Sequence, residues 1–294
     1  MRLLMEKNNV IFILGAGHSG STVLDMLLGT YDTVCGLGEC EKLVSSYNQG
    51  LVCACGETLD RCIFWGGWIR THASDIRQDT YRCIRGLVGG LLGVSRYHCI
   101  RRDGRTMAET DLLQYCATAQ SVYYYARRQS GATVLVDSSK NVDRCELLYY
   151  RGSVNPIIIH LVRDVRGVVY SGKKKGKSVW VILWFWVTQN IKVRAASRRM
   201  HTVPITVLYE ELVAHPRETT DRILRASGLD PADFGAVSFE RQQHQPAGNR
   251  LRSTQTPRHL TLDTAWMSEL SVWERAVSII CAGWLLWYLR RCAR

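Results

Sequence analysis

Proline is scarce, six in 294 residues, and the chain carries no internal repeat and no long low-complexity linker. Collagen, fibrous repeats and extended disorder are thereby excluded. Acidic residues are outnumbered, 26 Asp and Glu against 38 Lys and Arg, which leaves a formal charge of +12. A field of that sign attracts an acidic partner such as nucleic acid, anionic lipid or a phosphorylated small molecule. No nucleic-acid reading module accompanies the charge, so nucleic acid is not expected as a partner. Long apolar runs are missing as well: Val179 to Val187 and Ala276 to Leu289 fall short of the roughly 20 residues that span a bilayer. No transmembrane segment is expected from them, and Met1 to Lys7 hold no apolar signal core. What the chain has is 46% hydrophobic residues, enough for a full core. Its 11 cysteines are an odd number in a long chain, which reads as reduced thiols in a cytoplasmic protein.

Val10-Ile11-Phe12-Ile13-Leu14 is short, β-branched and unalternating, the pattern of a parallel strand covered on both faces. A glycine loop follows, and Ser21 to Leu28 then reads as a short amphipathic helix stopped by Gly29. Thr133 to Val136, Pro156 to Val162 and Pro204 to Tyr209 read as further buried strands, and Thr33-Val34-Cys35 is a second short apolar segment. Helical patterns separate most of them, at Leu112 to Ala126 and up to Ala226. Strand alternating with helix predicts an α/β fold with right-handed crossovers. Residues 48–108, rich in Gly, Cys and Arg, read as an insertion beside the sheet. Residues 235–261 read as irregular, and Trp266 to Arg291 as one closing helix. The whole chain, 1–294, is read as a single domain.

Gly15-Ala16-Gly17-His18-Ser19-Gly20-Ser21-Thr22 lies between the first strand and the first helix, where backbone N–H groups and the helix dipole hold phosphate. Against the Walker A pattern, Gly15 and Gly20 align but Ser21 replaces the lysine. A standard ATPase or GTPase is therefore disfavoured. His18-Ser19-Gly20-Ser21-Thr22 resembles the first loop, [KRH]-S-G-[ST]-[ST], of the sulfotransferases that use 3'-phosphoadenosine 5'-phosphosulfate (PAPS). A second segment is similar to that family's 3'-phosphate signature: a buried strand, then Arg163-Asp164-Val165-Arg166 with Ser171 eight positions after Arg163. Val165 stands where the family has proline.

The resemblance continues through Val136-Asp137-Ser138-Ser139-Lys140, Trp186 and Asn190, Leu208-Tyr209-Glu210-Glu211-Leu212, and His244 with Gly248-Asn249-Arg250 and Arg252. It implies a P-loop-NTPase-like three-layer α/β/α fold with a central parallel sheet. It also implies that Gly17, His18, Ser19, Gly20, Ser21 and Thr22 grip the 5'-phosphosulfate, and that Arg163 and Ser171 bind the 3'-phosphate. Tyr209 is implied as the adenine contact, and Asn249, Arg250 and Arg252 as part of a loop closing over the nucleotide. The function implied is sulfuryl transfer from PAPS to a hydroxyl or amine of a small molecule, carbohydrate or lipid.

Such a transfer needs in-line alignment, stabilisation of the leaving oxygen and a base for the acceptor proton. His18, the loop amides and Lys140 are candidates for the leaving oxygen. Glu39, in Gly36-Leu37-Gly38-Glu39, is the candidate base, with a pKa expected to rise on partial burial. His72, His98 and His244 are its substitutes. Cys53, Cys55 and Cys62, with Cys35 or Cys40 as a fourth, offer zinc ligands, but C-x-C-x6-C is not a usual zinc spacing. They read as packing thiols, and no metal is expected. Lys173 to Lys177 reads as a solvated helix end, and Trp180, Trp184, Phe185 and Trp186 as core. The alternatives are a P-loop small-molecule kinase, which would depend on magnesium, and a noncatalytic nucleotide or membrane-surface binding protein, the latter through Ala276 to Arg294.

Overall fold

The computed structural model describes residues 8–72, 81–83, 99–101, 109–234, 241–253 and 260–293. The first half of the chain runs β1 (Asn8–Leu14), α1 (Ser21–Leu28), β2 (Val34–Gly36), α2 (Leu43–Asn48), α3 (Gly66–His72), β3 (Tyr81–Cys83), β4 (Cys99–Arg101) and α4 (Glu109–Ser130). The second half runs β5 (Val134–Asp137), α5 (Val142–Tyr150), β6 (Val154–Val162), α6 (Val165–Lys173), α7 (Val179–Arg199), β7 (Ile205–Leu208), α8 (Tyr209–Ala214), α9 (Pro216–Ala226), α10 (Trp266–Glu269) and α11 (Val272–Cys292).

Five strands form one parallel sheet in the order β2-β5-β1-β6-β7. Strand β1 is central, which explains its unbroken apolar run. Val10, Phe12 and Leu14 pack on one face with residues of α2, α3, α4, α5 and the end of α7. Ile11 and Ile13 pack on the other with α1, α8 and α9. This is the expected three-layer α/β/α arrangement with a P-loop-like order of strands.

Within the stretch read as an insertion, Cys53, Leu59, Cys62, Trp65, Trp68 and Ile69 pack into the core on one face of the sheet. Two other expectations change. The closing helix is broken at Leu270 and Ser271, where Ser271 caps α11 and Glu274 returns the bond in a capping box. That box is the sequence Ser271-Val272-Trp273-Glu274, a helix start inside a stretch read as one helix. The 21-residue α11 is long and apolar enough to cross a membrane by length and composition, contrary to the expectation from its shorter apolar run. One third of that stretch, 33%, is buried within the protein. Val277, Ala282, Leu285 and Leu289 meet the apolar sides of α6 and α7, while Trp273, Ile280, Trp284 and Trp287 face outward.

A polar chain crosses this core beneath β6. His160 Nε2 is 2.8 Å from Asn190 Oδ1, Asn190 Nδ2 donates to the Trp186 carbonyl at 2.7 Å, and Trp186 Nε1 donates to the Arg163 carbonyl at 3.2 Å. Trp186 and Asn190 thus fix the residue that follows β6. Burial pushes the His160 pKa down from 6.5 to about 4. Between those values the unfolded chain binds a proton that the folded one does not. Stability therefore falls as pH falls from 6.5 to 4, by at most roughly 1.4 kcal/mol per pH unit for one proton. His160→Gln, which keeps a donor toward Asn190, should flatten that slope in urea-denaturation midpoints measured across the window.

Candidate active site

The chain leaves β1 toward β2 and β5 on one side, then crosses to β6 and β7 on the other. Loops diverge above the carboxyl ends of the strands, where ligands of open α/β sheets bind. Gly15 to Gly20 follows β1, Leu37 to Glu39 follows β2, Ser138 to Lys140 follows β5, and Arg163 follows β6.

The glycine loop lies hard against its neighbours. A Cβ on Gly15, at φ +148°, would sit 2.3 Å from the Leu161 carbonyl oxygen. One on Gly20, at φ +90°, would sit 2.5 Å from the Tyr209 ring. Both positions need glycine for space and conformation. His18 and Lys140 also have positive φ, 66° and 61°, which is costly for residues with a side chain and locates backbone strain at the loops. Ser19 is buried, and its Oγ has no hydrogen-bond partner among the described residues. An unpaired buried hydroxyl in a glycine loop at a helix N-terminus fits an anionic ligand oxygen. Ser21 and Thr22 open α1 and are largely buried.

Arg163 reaches the same loop from the other side of β1. Its Nη1 donates to the His18 carbonyl at 3.0 Å, its Nη2 pairs with Asp263 at 3.0 Å, and its guanidinium lies 4.5 Å from the Tyr209 ring centroid. Gly167 packs against the Arg163 side chain, and Ser171, one turn on, shares that helix face. Val165 occupies the first position of α6 after the Asp164 cap, where proline is equally at home. Tyr209 is mostly buried between Gly20 and Arg163. Asn249 and Arg250 are exposed, and the Asn249 N–H meets Thr22 Oγ1 at 3.4 Å. The Arg252 guanidinium braces the loop instead, bonding the carbonyls of Gln245, Gly248 and Val52.

On the β2 and β5 side, Lys140 Nζ lies 2.6 Å from Glu39 Oε1, 3.2 Å from Ser21 Oγ and 3.0 Å from the Ser138 carbonyl. Lys42 pairs with the other Glu39 oxygen. Burial alone would raise the Glu39 pKa, but Lys140 and then Lys42 outweigh it and hold the carboxyl below its usual range. The expected rise is thus corrected: two ammonium groups reverse the effect of burial. Burial, followed by Lys175, Lys177, Arg163 and Lys140, pushes His18 down to about 4, so it is a neutral hydrogen-bonding group at pH 7.

Several residues of the site escaped the sequence reading. Asp25, fully buried on α1, accepts from the Gly38 N–H at 3.1 Å and Gln245 Nε2 at 2.5 Å, and burial raises its pKa to about 7. Asp137 accepts from Tyr123 at 2.6 Å and the Ser139 N–H at 2.8 Å, with Arg144 Nε at 3.5 Å. These two carboxylates hold the loops that carry Glu39 and Lys140. Asp137 ends β5, which is a signal the sequence offers, whereas Asp25 sits inside α1 and its partner Gln245 lies 220 positions away. Asp263 gave no signal at all.

Of the substitute bases, His72 bonds the Trp68 carbonyl, His98 lies outside the described residues, and His244 meets Cys62. Cys35 and Cys40 do not join the cysteine cluster, since Cys40 bonds Asp137. Trp186 is core, whereas Trp180, Trp184 and Phe185 are exposed, against expectation. Phe185 approaches Gly17.

The glycine loop, Arg163 and the Lys140–Glu39 pair thus lie together above the carboxyl ends of the parallel strands. The sequence matches the sulfotransferase family over residues 10–233, and the chain belongs to that family. Its fold is similar to the sulfotransferase domain from the Synechococcus PCC 7002 olefin synthase, with 20% identity, 95% of each chain covered and a TM-score of 0.52. It is also similar to the sulfotransferase domain from the curacin biosynthetic pathway, with 16% identity, 95% of this chain and 97% of that one covered, and a TM-score of 0.53. No curated protein matched the sequence.

Proposed function

We propose that this sulfotransferase uses PAPS as donor and sulfates a hydroxyl or amine of a small-molecule, carbohydrate or lipid acceptor. The observation that supports the reading is the Arg163 fork, which bonds the glycine loop with one arm and a half-exposed carboxylate, Asp263, with the other, as a second anion seat would require. A 3'-phosphate exchanging with Asp263 keeps Arg163 paired, and Ser171 adds a hydroxyl. An ordinary nucleotide enzyme needs no such seat.

When bound, PAPS supplies a sulfuryl group on a bisphosphate leaving group. The loop amides and Ser19 Oγ hold the 5'-phosphosulfate oxygens, and His18 donates a hydrogen bond rather than a charge. Lys140, between Ser21 and Glu39, neutralises the bridging oxygen as its bond to sulfur breaks. Glu39 takes the acceptor proton as the new bond to sulfur forms. Its basicity is suppressed while Lys140 is bonded to it and recovers when that ammonium turns to the leaving oxygen. No metal ion takes part in these steps, and an odd count of 11 cysteines in a long chain supports a reducing, cytoplasmic setting.

The outer face of α11 supports a further proposal, contact with an anionic bilayer surface. Trp273, Ile280, Trp284 and Trp287 are each more than half exposed, and Arg290 and Arg291 follow them. Trp284→Glu with Trp287→Glu should abolish co-sedimentation with phosphatidylglycerol vesicles, and absence of sedimentation by the unaltered chain would refute the contact.

Thermal unfolding with adenosine 3',5'-bisphosphate, adenosine 5'-phosphate and Mg-ATP tests the donor. The bisphosphate should raise Tm by several degrees at about 100 times its Kd, whereas a shift with Mg-ATP alone would indicate a kinase. Arg163→Ala should weaken the bisphosphate roughly ten- to a hundred-fold more than the 5'-phosphate, and Asp263→Asn should tighten it. Equal losses for both ligands would remove the 3'-phosphate seat. Glu39→Gln should leave bisphosphate affinity nearly unchanged and slow transfer roughly 10²- to 10⁴-fold. Unchanged turnover in that variant would remove Glu39 as base.

A further inference from the structure

We propose that Cys53, Cys55, Cys62 and His244 form a structural zinc site that ties the segment after α2 to the loop packed on Glu39. Their four ligand atoms lie within 4.8 Å of one another. Cys62 Sγ is 3.6 Å from Cys53 Sγ, 3.7 Å from Cys55 Sγ and 3.4 Å from His244 Nδ1. A tetrahedral ion with Zn–S bonds of about 2.3 Å and a Zn–N bond of about 2.0 Å has S···S edges of about 3.8 Å and S···N edges of about 3.5 Å. The three separations from Cys62 Sγ match those edges to within a few tenths of an ångström, and every other pair of ligand atoms lies within 4.8 Å. A disulfide would leave one thiol and the imidazole without a purpose in the cluster, whereas a four-coordinate ion uses all four groups.

The surroundings are those of a metal knuckle. Backbone N–H groups of Phe64 and Trp65 are directed at Cys62 sulfur, that of Glu57 at Cys55 and that of Cys55 at Cys53. The His244 ring stacks on Phe64 with centroids 5.4 Å apart and planes 9° apart, and its carbonyl accepts from Trp65 Nε1, so both ends of that residue are fixed. Cys53 and Cys62 are buried while Cys55 and His244 are half-buried, which gives an ion an entry path from one side. Three thiolates and an imidazole are a soft donor set, suited to zinc and unsuited to magnesium or calcium. With four protein ligands the sphere is closed, so the ion braces and does not catalyse. Three thiolates and a neutral imidazole around a divalent ion give the site a net charge of −1.

What it braces is specific. The Ala54 N–H bonds the Gln245 carbonyl at 3.0 Å, Gln245 Nε2 bonds Asp25 at 2.5 Å, and the Glu39 N–H bonds the Ala247 carbonyl at 3.2 Å. The ion would thus hold His244, and through the next three residues the backbone of Glu39. The site stands on its own geometry and does not depend on the donor or the base assigned above.

The test is metal analysis of the full chain purified with reductant and without chelator. One zinc per chain that survives dialysis is expected. Removal by a strong chelator should lower Tm, and re-addition of zinc should restore it. Cobalt in its place should give intense visible d–d bands of a tetrahedral thiolate complex and a near-ultraviolet sulfur-to-cobalt band. Cys55→Ser, at a half-buried position, should weaken zinc at least ten-fold and reduce the sulfur-to-cobalt band in a chain that remains folded by circular dichroism. A metal-free chain whose thiols alkylate equally fast with and without added zinc would overturn the site. So would a disulfide among these cysteines as the only form found in the freshly purified protein.

Discussion

The closeness of the glycine loop to β6 and α8 is the constraint on which the site depends. At Gly15 the backbone runs against the Leu161 carbonyl, and at Gly20 it rests on the Tyr209 ring, with no space for a Cβ at either point. Only because the loop lies this low can Arg163 reach the His18 carbonyl from the next strand. A larger residue at either glycine would lift the loop and separate it from Arg163. The Arg163 guanidinium over Tyr209 adds a cation–π contact that fastens the arginine to the same platform.

Beneath this surface the loops hang on two buried carboxylates. Asp137 is shared by Tyr123, Cys40, the Ser139 N–H and Arg144, which fixes the turn that aims Lys140. Asp25 binds the Gly38 N–H and Gln245, which places Glu39 opposite that lysine. Removing one partner from such a group leaves a buried polar atom unsatisfied, a cost of about 1–3 kcal/mol, so the supports are tightly coupled to the fold. The Lys140–Glu39 pair is the meeting point of the two. Its ion-pair geometry explains why burial, which alone would make Glu39 a stronger base, is overridden.

The local parts of this arrangement were legible in the sequence. Four of the five sheet strands, the α1 boundaries, the glycine loop and the strand leading to Arg163 are carried by contiguous residues whose pattern reports burial or conformation; β2, only three residues long, was legible as no more than a short apolar segment. Glu39 was legible as a candidate, but its pKa was not, because Lys140 arrives from another strand 101 positions away. Asp263 reaches Arg163 across 100 positions, and His244 reaches Cys62 across 182. Such encounters leave no periodic trace. The break before α11 was the reverse case: its capping box is local and plain, but the surrounding apolar residues masked it.

The strand order also sets a timetable for the chain. Val10 pairs with Leu135 on one side and with Pro156 on the other, so β1 is made long before either neighbour exists. Until then an apolar, β-branched strand waits with both edges open, the condition under which strands join foreign chains. Folding must close loops of more than a hundred residues before the sheet gains its first central contacts, which makes it slow. The glycine loop, borne on that same strand, acquires its shape only when β6 arrives to press against it.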